Sequence, residues 1–466
     1  MSAPLFDPPS DLSAAPPDPE PAPGAGNVAA LAWPMTLKAI FLHGTVVIDG
    51  WLVSSLGETS VAAMGFAAAL GGMILGVIFA FSHAMQIRTA QAFGTGDKVF
   101  LKSTLASGLA ISFLIGTLGV AAIFSGAQSL VRAMATSPEI AAQAWAYLSV
   151  FALVILGESM GQVLSSFFNG CGRTRVPFYG YCLSVPINVG ASMALIHGLW
   201  GLPAYGVAGA AMGSALAVLV QVAFFALHLL RKDAALARVK GWRQTTFLKT
   251  LRRHIGFSLP IVATFVSANF ASHLCVLLYA RMDLFSFAAL ALITPWNMVA
   301  GQLSMQWTQA TGILVAQLLG KETSEPVLDR FLSAAWRGAF VAAAFVALTF
   351  VIMTSLVDTI YPDLAPETRA ILVSFLPILI LVQFPRATNA ICGNTLRASG
   401  DTIYVMHIFI WSQWAFRVPA TAIAILYFEL GALWILGILL AEEAVKFLPF
   451  HTRLWRGDWK RADVTT

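Results

Sequence analysis

The sequence is poor in charged residues. Only 11% of its 466 residues are Asp, Glu, Lys or Arg, whereas about a quarter of an ordinary soluble domain is charged. Hydrophobic residues make up 58% of the chain, and the mean hydropathy is +0.76. A water-soluble fold cannot bury so much apolar surface, so this composition excludes a soluble globular protein. The net charge of +5 does not indicate nucleic-acid binding, because the basic residues lie between apolar segments, where they act as topology signals.

Cysteine and the usual catalytic motifs are also scarce. The four cysteines form no CxxC pair and lie in or beside apolar segments, so we expect neither a disulfide framework nor a metal site. The eight histidines form no HxxxH or HxxE pair. The sequence has no Gly-rich phosphate loop, no Ser/His/Asp set and no paired catalytic carboxylates. We therefore predict that the protein is not an enzyme, holds no cofactor and does not use ATP directly.

Twelve apolar segments follow an N-terminal stretch, residues 1–27, that has eight prolines, four acidic residues and no Lys or Arg. That stretch cannot collapse and lacks the basic start of a signal peptide, so we predict a disordered cytoplasmic tail. Each later segment can cross a bilayer as a helix of about 20 residues. The segments span approximately 31–55, 62–92, 104–128, 141–168, 179–198, 205–230, 255–280, 287–318, 333–356, 370–394, 404–427 and 431–450. The predicted fold class is an all-α polytopic membrane protein with twelve transmembrane helices.

Basic residues are distributed unevenly over the connections between these segments. The even-numbered connections and the C-terminus hold nineteen Lys or Arg residues, whereas the odd-numbered connections hold three, Arg132, Arg281 and Arg369. By the positive-inside rule, this bias places both termini in the cytoplasm. We expect a multi-pass protein of the inner (plasma) membrane.

An internal repeat divides the chain into two halves. Five residues of the first half recur in the second at an offset of 226 without a gap. The pairs are Pro34 and Pro260, Ala62 and Ala288, Ala63 and Ala289, Gln91 and Gln317, and Gly94 and Gly320. Because six helices is an even number, the halves are parallel repeats related by a pseudo-two-fold axis along the membrane normal. We predict an N-lobe over 28–230, a basic cytoplasmic linker over 231–254, a C-lobe over 255–450 and a cytoplasmic tail over 451–466.

Ionisable residues at membrane depth cost roughly 2.5 to 3.5 kcal/mol on insertion scales, so we expect them to face a cavity or a partner. Asp49 lies on the order of 10 Å below the outer end of the first predicted helix. Ser184, Asn188 and Ser192 share one face of the fifth helix because they are spaced by four. The candidate site for a small cation or a proton consists of Asp49, Asn188, Ser192 and Ser214 of the sixth helix. The alternative is a hydrogen-bonded polar plug that ties the helices together.

Polar residues also form stripes on three other predicted helices. They are Glu158, Gln162, Ser165 and Asn169 on the fourth helix, Gln302, Gln306 and Gln309 on the eighth, and Gln383, Arg386, Asn389 and Arg397 on the tenth. We predict that these faces line a central passage. Its cavity or gating residues are Glu158, Gln162, Gln306, Gln309, Arg386 and Asn389. Tight interhelical hydrogen bonding without a cavity is the alternative.

Glu158 and Arg386 occupy equivalent positions in the two halves. Gly172 begins a Gly-Arg-Thr run that recurs as Gly-Asp-Thr at Gly400, an offset of 228, and subtracting 228 from 386 gives 158. Neither charge is stable alone at that depth, so we expect this acid and this base to attract each other across the cavity in one conformation. The alternative is that each pairs within its own lobe.

Charged residues near the C-terminus have local interpretations. Glu442 and Glu443, with Lys446 one turn further on, predict an ion pair at a helix end. Arg417 lies close to a proline and is expected to pin a kinked eleventh helix.

The run from Leu31 to Gly65 resembles the opening of multidrug and toxic compound extrusion (MATE) transporters, which have a Pro and an Asp fifteen residues apart in the first helix. Here these are Pro34 and Asp49, and we expect helix 1 to bend near the proline during the transport cycle. The family's loop and helix-start motifs are resembled by QAFGTGD (91–97), FNGCGRTRVP (168–177), YGVAGAAMGSA (205–215) and LRASGDT (396–402). The resemblance covers roughly residues 31–460.

The resemblance implies a V-shaped pair of six-helix lobes that export cargo by alternating access, driven by inward flow of H+ or Na+. The positions that match the family's N-lobe cation or proton site are Asp49, Asn188, Ser192 and Ser214. Ser192 replaces an Asn or Asp there, and Ser214 replaces a Thr. Where one sodium-coupled branch has acids in the C-lobe, this chain has Ala268 and Arg386. We therefore favour proton coupling through Asp49, an amphiphilic or cationic small molecule as cargo, and a monomer in the lipid bilayer.

Three other functions are alternatives. A lipid-linked precursor flippase of the wider superfamily would need a more cationic cavity than the single central Arg386 predicts. An integral-membrane transferase would need a cluster of His, Asp or Glu at an interface, which the sequence does not show. An ion channel would surround a fixed pore with its repeats and conduct far faster than a transporter.

Overall fold

The computed structural model describes residues 23–232 and 244–461, and this part of the chain is helical with no strand. It forms twelve long helices, each corresponding to one predicted apolar segment. They are α1 (Ala25–Ser54), α2 (Glu58–Gly94), α3 (Lys98–Met134), α4 (Pro138–Gly170), α5 (Arg175–His197), α6 (Val207–Lys232), α7 (Gln244–Tyr279), α8 (Leu284–Gly320), α9 (Glu325–Ser355), α10 (Pro366–Ala398), α11 (Thr402–Leu426) and α12 (Ala432–Trp455). The predicted fold class is confirmed.

Eleven of the helices within the described residues, α1 to α11, are long and apolar enough to cross a membrane. The helix α12 contains Glu442, Glu443 and Lys446 and is therefore less apolar. All three side chains are buried against neighbouring helices rather than turned toward lipid. The chain is thus a multi-pass membrane protein in which α12 completes the second set of six helices.

Several helices extend beyond the apolar segments that predicted them. The helix α1 begins at Ala25, inside the predicted tail 1–27, and α7 begins at Gln244, inside the predicted linker 231–254. At the other end, α12 runs to Trp455, and Trp459 is buried against the C-lobe, so the predicted tail 451–466 is partly folded. Hydropathy marks the part of a helix that meets lipid, whereas backbone hydrogen bonds continue into polar residues. Residues 1–22, 233–243 and 462–466 lie outside the described part of the chain.

Each group of six helices has an apolar core, and a further apolar cluster joins α1 and α2 of the N-lobe to the C-lobe. In the N-lobe, α4 lies centrally between α2 and α6, and α5 packs along α6. In the C-lobe, α10 packs between α9 and α12. A close α5–α6 approach depends on Gly213, because a Cβ atom there would lie 2.2 Å from Ser192 Oγ and 2.5 Å from Ser192 N. This approach holds the polar face of α5 against α6.

The two lobes meet where α2 crosses α8. A Cβ atom on Gly94 would lie 2.3 Å from the carbonyl oxygen of Gln317, and one on Gly320 would lie 2.4 Å from the carbonyl oxygen of Gln91. Only glycine allows the two backbones to approach so closely. The residues on the two sides of this contact are partners in the sequence repeat.

Two glutamines reinforce the same contact reciprocally. Gln91 Nε2 donates to the carbonyl oxygen of Ala398 at 2.7 Å, and Gln317 Nε2 donates to the carbonyl oxygen of Gly170 at 2.7 Å. Each glutamine therefore caps the C-terminal end of a helix in the opposite lobe, α10 or α4. The helix ends joined in this way are those that the charge bias predicts to be cytoplasmic, so the lobes are closed on that side.

Candidate functional site

The predicted coupling residues converge in the N-lobe around one carboxylate. Asp49 on α1 is 6% exposed, and its Oδ2 accepts a hydrogen bond from Ser214 Oγ on α6 at 3.2 Å. Asn188 on α5 lies beside both residues, with its Nδ2 2.9 Å from Ser214 Oγ. Ser192 is fully buried and donates instead to the carbonyl oxygen of Ala210 at 3.4 Å. Asn188 and Ser214 therefore surround the Asp49 carboxylate directly, and Ser192 lies beside them and ties α5 to α6.

The side-chain amide of Asn188 joins Asp49 to Ser214. With its nitrogen toward Asp49, it donates to Oδ1 at 3.1 Å, and its oxygen accepts from Ser214 Oγ at 2.9 Å and from the Ser214 backbone N–H at 3.3 Å. The Ser214 hydroxyl has one proton, so it donates either to Asn188 Oδ1 or to Asp49 Oδ2. The carboxylate of Asp49 is therefore held by donors from both α5 and α6.

These residues open onto a cavity of about 350 Å³ inside the N-lobe. Its wall is largely apolar and aromatic, and its charged lining residues are the acids Asp49 and Glu158. Tyr147 and Tyr181 contribute hydroxyl groups to the same wall. The cavity thus combines an apolar surface with negative charge, which suits an amphiphilic cation.

Glu158 belongs to a buried network that the sequence analysis did not anticipate. Gln162 Nε2 donates to Glu158 Oε2 at 2.7 Å and lies 2.9 Å from Tyr181 OH. Lys38 Nζ on α1 donates to Ser165 Oγ at 2.7 Å and lies 3.5 Å from Gln162 Oε1. The amide of Gln162 therefore links a base to an acid. The position of Lys38 inside the first apolar segment could have predicted this network, because a lysine at membrane depth needs a polar or acidic partner.

A central cavity of about 340 Å³ lies between the lobes. Its lining includes the predicted residues Gln162, Gln306 and Gln309, together with Lys38. Gln302 Nε2 and His43 Nε2 lie 3.1 Å apart across its α1–α8 wall, so the lobes also meet at this depth. These residues line a cavity in this conformation, and Gln162 also makes hydrogen bonds between helices.

A third cavity, of about 400 Å³, occupies the C-lobe. Arg386, Arg397, Gln309 and Gln383 line it. Gln309 also lines the central cavity, as do several of its neighbours on α8, so the two spaces adjoin. The N-lobe and central cavities likewise share His43. The three cavities form one system between and within the lobes.

The predicted ion pair of Glu442 and Glu443 with Lys446 is present, but it lies in a buried cluster inside α12 and not at a helix end. Lys446 Nζ lies 2.9 Å from Glu443 Oε1 and 3.4 Å from Glu442 Oε1. Arg417 NH1, at the end of a π-helical turn in α11, lies 3.5 Å from Glu442 Oε2, and its NH2 lies 3.1 Å from Ser272 Oγ on α7. The prediction placed these residues at a helix end because the apolar segment stops at 450, whereas α12 continues to Trp455.

In this conformation, Glu158 and Arg386 do not pair across the cavity. Each interacts within its own lobe, which is the alternative given in the sequence analysis. Arg386 Nε lies 3.7 Å from Glu443 Oε1, while Glu158 bonds Gln162. Asn389, predicted to line the cavity, instead donates to the carbonyl oxygen of Glu443 at 2.8 Å and to its Oε2 at 3.0 Å. Asn389 lies three residues, nearly one turn, after Arg386 on α10. Both side chains therefore reach Glu443 on α12.

The remaining predicted features have simpler outcomes. Pro34 lies inside the continuous helix α1, so its bending during a cycle stays a prediction. Over residues 23–232 and 244–461, no three His, Cys, Asp or Glu side chains group in a way that could hold a metal ion. The buried polar site around Asp49 has one carboxylate.

Twelve helices in two related lobes, with polar cavities within and between them, define a membrane protein of the internally repeated transporter type. The MatE family model matches the chain twice, over residues 34–194 and 260–423, and the two matches start at Pro34 and at its repeat partner Pro260. The chain belongs to the MatE family.

Similar proteins span nearly the same length. The chain is 26% identical over 429 residues to the probable multidrug resistance protein NorM of Bradyrhizobium diazoefficiens, covering 87% of this chain and 88% of that protein. It is 24% identical over 399 residues to the protein of the same name from Thermotoga maritima, covering 84% and 83%. A crystal structure described as MATE in the bent conformation superposes with a TM-score of 0.82 at 18% identity, covering 94% of this chain and 97% of that one. That structure confirms the fold of two six-helix lobes.

Proposed function

We propose that the protein is a secondary active exporter of amphiphilic or cationic small molecules, with proton entry through Asp49 as the driving step. The observation that carries the proposal is the buried Asp49 carboxyl group, which hydrogen-bonds to Asn188 and Ser214 and lines the N-lobe cavity. Its opening onto an apolar, acid-lined cavity supports a cationic or amphiphilic cargo. The names of relatives as multidrug resistance proteins support the same direction of transport.

A proton is favoured over a sodium ion by the number of ligands. Hard metal cations in proteins collect about six or more oxygen ligands. Asp49, Asn188 and Ser214 offer few oxygens, and Ser192 is engaged with the carbonyl oxygen of Ala210. A proton needs only one acceptor, which the carboxylate of Asp49 provides.

Alternating access follows if protonation changes the relative free energy of two arrangements of the lobes. The closed contact of Gln91 and Gln317 supports one of these arrangements, open away from the predicted cytoplasmic side. Protonation of Asp49 weakens the hydrogen bonds that join α1 to α5 and α6. A hydrogen bond to an ionised carboxylate is stronger than one to a neutral carboxyl group. The proton then stabilises one arrangement of the lobes, and the cargo stabilises the other.

The test is transport of a fluorescent cation by proteoliposomes that contain the purified protein. A pH gradient alone should drive the dye from the alkaline to the acidic side, and a Na+ gradient alone should not. Asp49→Asn should abolish transport while Cys275→Ser, at the equivalent C-lobe position, retains it. Full transport by a well-folded Asp49→Asn variant, or transport driven by Na+ alone, would contradict the proposal.

A lipid-linked precursor flippase is the second candidate. The observation that favours it is the C-lobe cavity, where Arg397 joins Arg386 in the lining and makes the wall more basic than the sequence predicted. The acids Asp49 and Glu158 in the adjoining N-lobe cavity argue against a doubly charged pyrophosphate headgroup. Scrambling of a labelled pyrophosphate-linked lipid in the same proteoliposomes distinguishes the two functions.

A further inference from the structure

The polar stripes on α4 and α10 are related by the repeat but differ in what they leave open. At an offset of 228, Gln162 and Ser165 correspond to Ala390 and Gly393. On α4, these side chains bind Lys38 and fill the space between α4 and α1. On α10, the small residues line the cavity of about 400 Å³. The C-lobe therefore has room for a ligand where the N-lobe has its own side chains.

The same comparison places a base at each end of the C-lobe cavity. Glu158 is replaced by Arg386, and Asn169 is replaced by Arg397, with both arginines in the cavity lining. They lie eleven residues apart on α10, three turns, so they project from one face. In the lining itself there is no Asp or Glu.

Arg397 is buried without a counter-ion. It is 7% exposed and its Nε has no hydrogen-bond partner. Within residues 23–232 and 244–461, no carboxylate oxygen lies within 4.0 Å of its guanidinium group. Its recorded contact is the ring of Phe409, 5.3 Å from Cζ. An unpaired buried charge is costly, so this guanidinium calls for an anion in the cavity.

Arg386 is also available to a ligand. Its side chain is 42% exposed, and its contact with Glu443 is long, at 3.7 Å. Glu443 is already bound by Lys446 at 2.9 Å and by Asn389 at 3.0 Å. The acid is therefore compensated by other residues, and the guanidinium of Arg386 keeps donors that face the cavity.

We propose that the C-lobe cavity is a subsite for an anionic group, the carboxylate of an exported amphiphile, with Arg397 as its anchoring residue and Arg386 as a second contact. The inference rests on the proposed export function and narrows its cargo to molecules that carry a carboxylate on an apolar body. The apolar body contacts Met298, Met305 and Phe265, which share the lining. A cargo with an additional amine also suits the acid-lined N-lobe cavity, which the central cavity connects to this one.

Equilibrium binding to the purified protein tests the subsite without any need for transport. The probes are a rhodamine with a free carboxylate and its methyl ester, which share the same xanthylium cation. The wild-type protein should bind the acid at least about tenfold more tightly than the ester, as charge-assisted hydrogen bonds predict. Arg397→Gln should bring this ratio close to one by weakening acid binding while leaving ester binding unchanged, and Arg397→Lys should retain part of it.

Two further variants keep the test decisive if Arg397→Gln does not fold. Arg386→Gln, at a partly exposed position, should lower the ratio about threefold or more. Arg281→Gln removes an exposed arginine in the α7–α8 connection and should leave the ratio unchanged. Equal affinity of the wild-type protein for acid and ester, or variants that weaken both probes equally, would overturn the subsite. Failure of the proposed proton coupling would leave the binding ratio intact, so the two results are separable.

A lipid phosphate is the other source of the same anionic chemistry. Nanodiscs of phosphatidylcholine alone and of phosphatidylcholine with phosphatidylglycerol separate the two sources. Preference for the acid dye in both lipids supports the carboxylate of a cargo. Displacement of the acid dye by phosphatidylglycerol would assign the arginines to a lipid headgroup and overturn the proposed cargo.

Discussion

The two lobes share a skeleton and differ in their interior chemistry. At the contact between them, repeat partners make the same bonds, with Gln91 and Gln317 each capping a helix of the other lobe. Inside the lobes, Asp49 is replaced by Cys275, and Glu158 by Arg386. The contact that both lobes make together is therefore symmetric, whereas the residues inside each lobe differ in charge. We expect the symmetric contact to act as the gate between the lobes and the asymmetric residues to bind the ion and the cargo.

Charge balance follows the same division. The N-lobe cavity has Asp49 and Glu158, with Lys38 held beside Glu158 through Gln162. The C-lobe has more buried charge, but its acids lie on α12, away from the cavity, where Lys446 compensates them. The result is an acid-lined cavity in one lobe and an arginine-lined cavity in the other. The cavities of the two lobes thus have walls of opposite charge.

The largest expected effect comes from breaking the symmetric contact. Gly94→Ala places a methyl group 2.3 Å from the carbonyl oxygen of Gln317, a backbone atom that cannot move aside cheaply. We expect the lobes to separate at that end and transport to fall by at least about tenfold, because more than 1.4 kcal/mol of closure would be lost. Gly65→Ala, a matched change in α2 with open space around it, should have little effect.

Pulsed electron paramagnetic resonance measures this separation directly. Spin labels on cysteines introduced at the exposed positions Lys98 and Lys321 report the distance between the lobes, after replacement of the exposed Cys182. Gly94→Ala should lengthen the distance relative to Gly65→Ala. An unchanged distance with normal transport would show that the α2–α8 contact is not part of the gate.

Sequence reasoning succeeded where helix periodicity and the repeat contain the information. Twelve segments, the two-fold relation and the convergence of Asp49, Asn188 and Ser214 all follow from depth along a helix and from the face that a residue occupies. These quantities depend on one helix at a time. The grouping of Asp49, Asn188, Ser192 and Ser214 was therefore predictable, whereas the contact of Ser192 with the carbonyl oxygen of Ala210 was not.

Sequence reasoning failed where the rotation of one helix against another decides the partner. The cluster of Glu442, Glu443 and Lys446 was expected at a helix end, and Asn389 was expected in the cavity. The role of Lys38 was missed for the same reason, since its partners lie on α4. Helix tilt and rotation come from packing of the whole bundle, which a single segment does not encode.

The second expected effect compares buried bases in the two lobes. Lys446→Met leaves Glu442 and Glu443 under-compensated in a buried cluster, and removal of one partner of a buried ion pair costs about 3 to 5 kcal/mol. Lys38→Met should cost less, because Lys38 reaches the acid Glu158 only through Gln162, and its direct hydrogen-bond partners, Gln162 and Ser165, are neutral. Thermal unfolding in detergent, followed by tryptophan fluorescence, should show a larger loss for Lys446→Met. Equal losses would contradict the view that the C-lobe holds the denser charge cluster.

A smaller effect concerns the pair that the repeat relates. In this conformation, Arg386 interacts with Glu443, so a double-mutant cycle of Arg386→Gln with Glu443→Gln should give a coupling of about 0.5 to 1 kcal/mol in unfolding. The cycle of Arg386→Gln with Glu158→Gln should give a coupling near zero. A coupling between Glu158 and Arg386 that appears in transport rates but not in unfolding would indicate that the two meet in another conformation, as the sequence repeat predicts.

The smallest expected effect separates the two prolines that begin the repeat. Pro34 and Pro260 both interrupt the hydrogen bonding of a long helix, α1 or α7, and each therefore permits a bend. The proposed coupling residue, Asp49, lies on α1, whereas α7 has Cys275 at the matching position. Pro34→Ala should straighten and stiffen α1 and slow transport severalfold, and Pro260→Ala should slow it less, with similar amounts of folded protein. Dye efflux from proteoliposomes at matched protein content measures both, and equal slowing would mean that bending serves the gate between the lobes rather than the ion site within one of them.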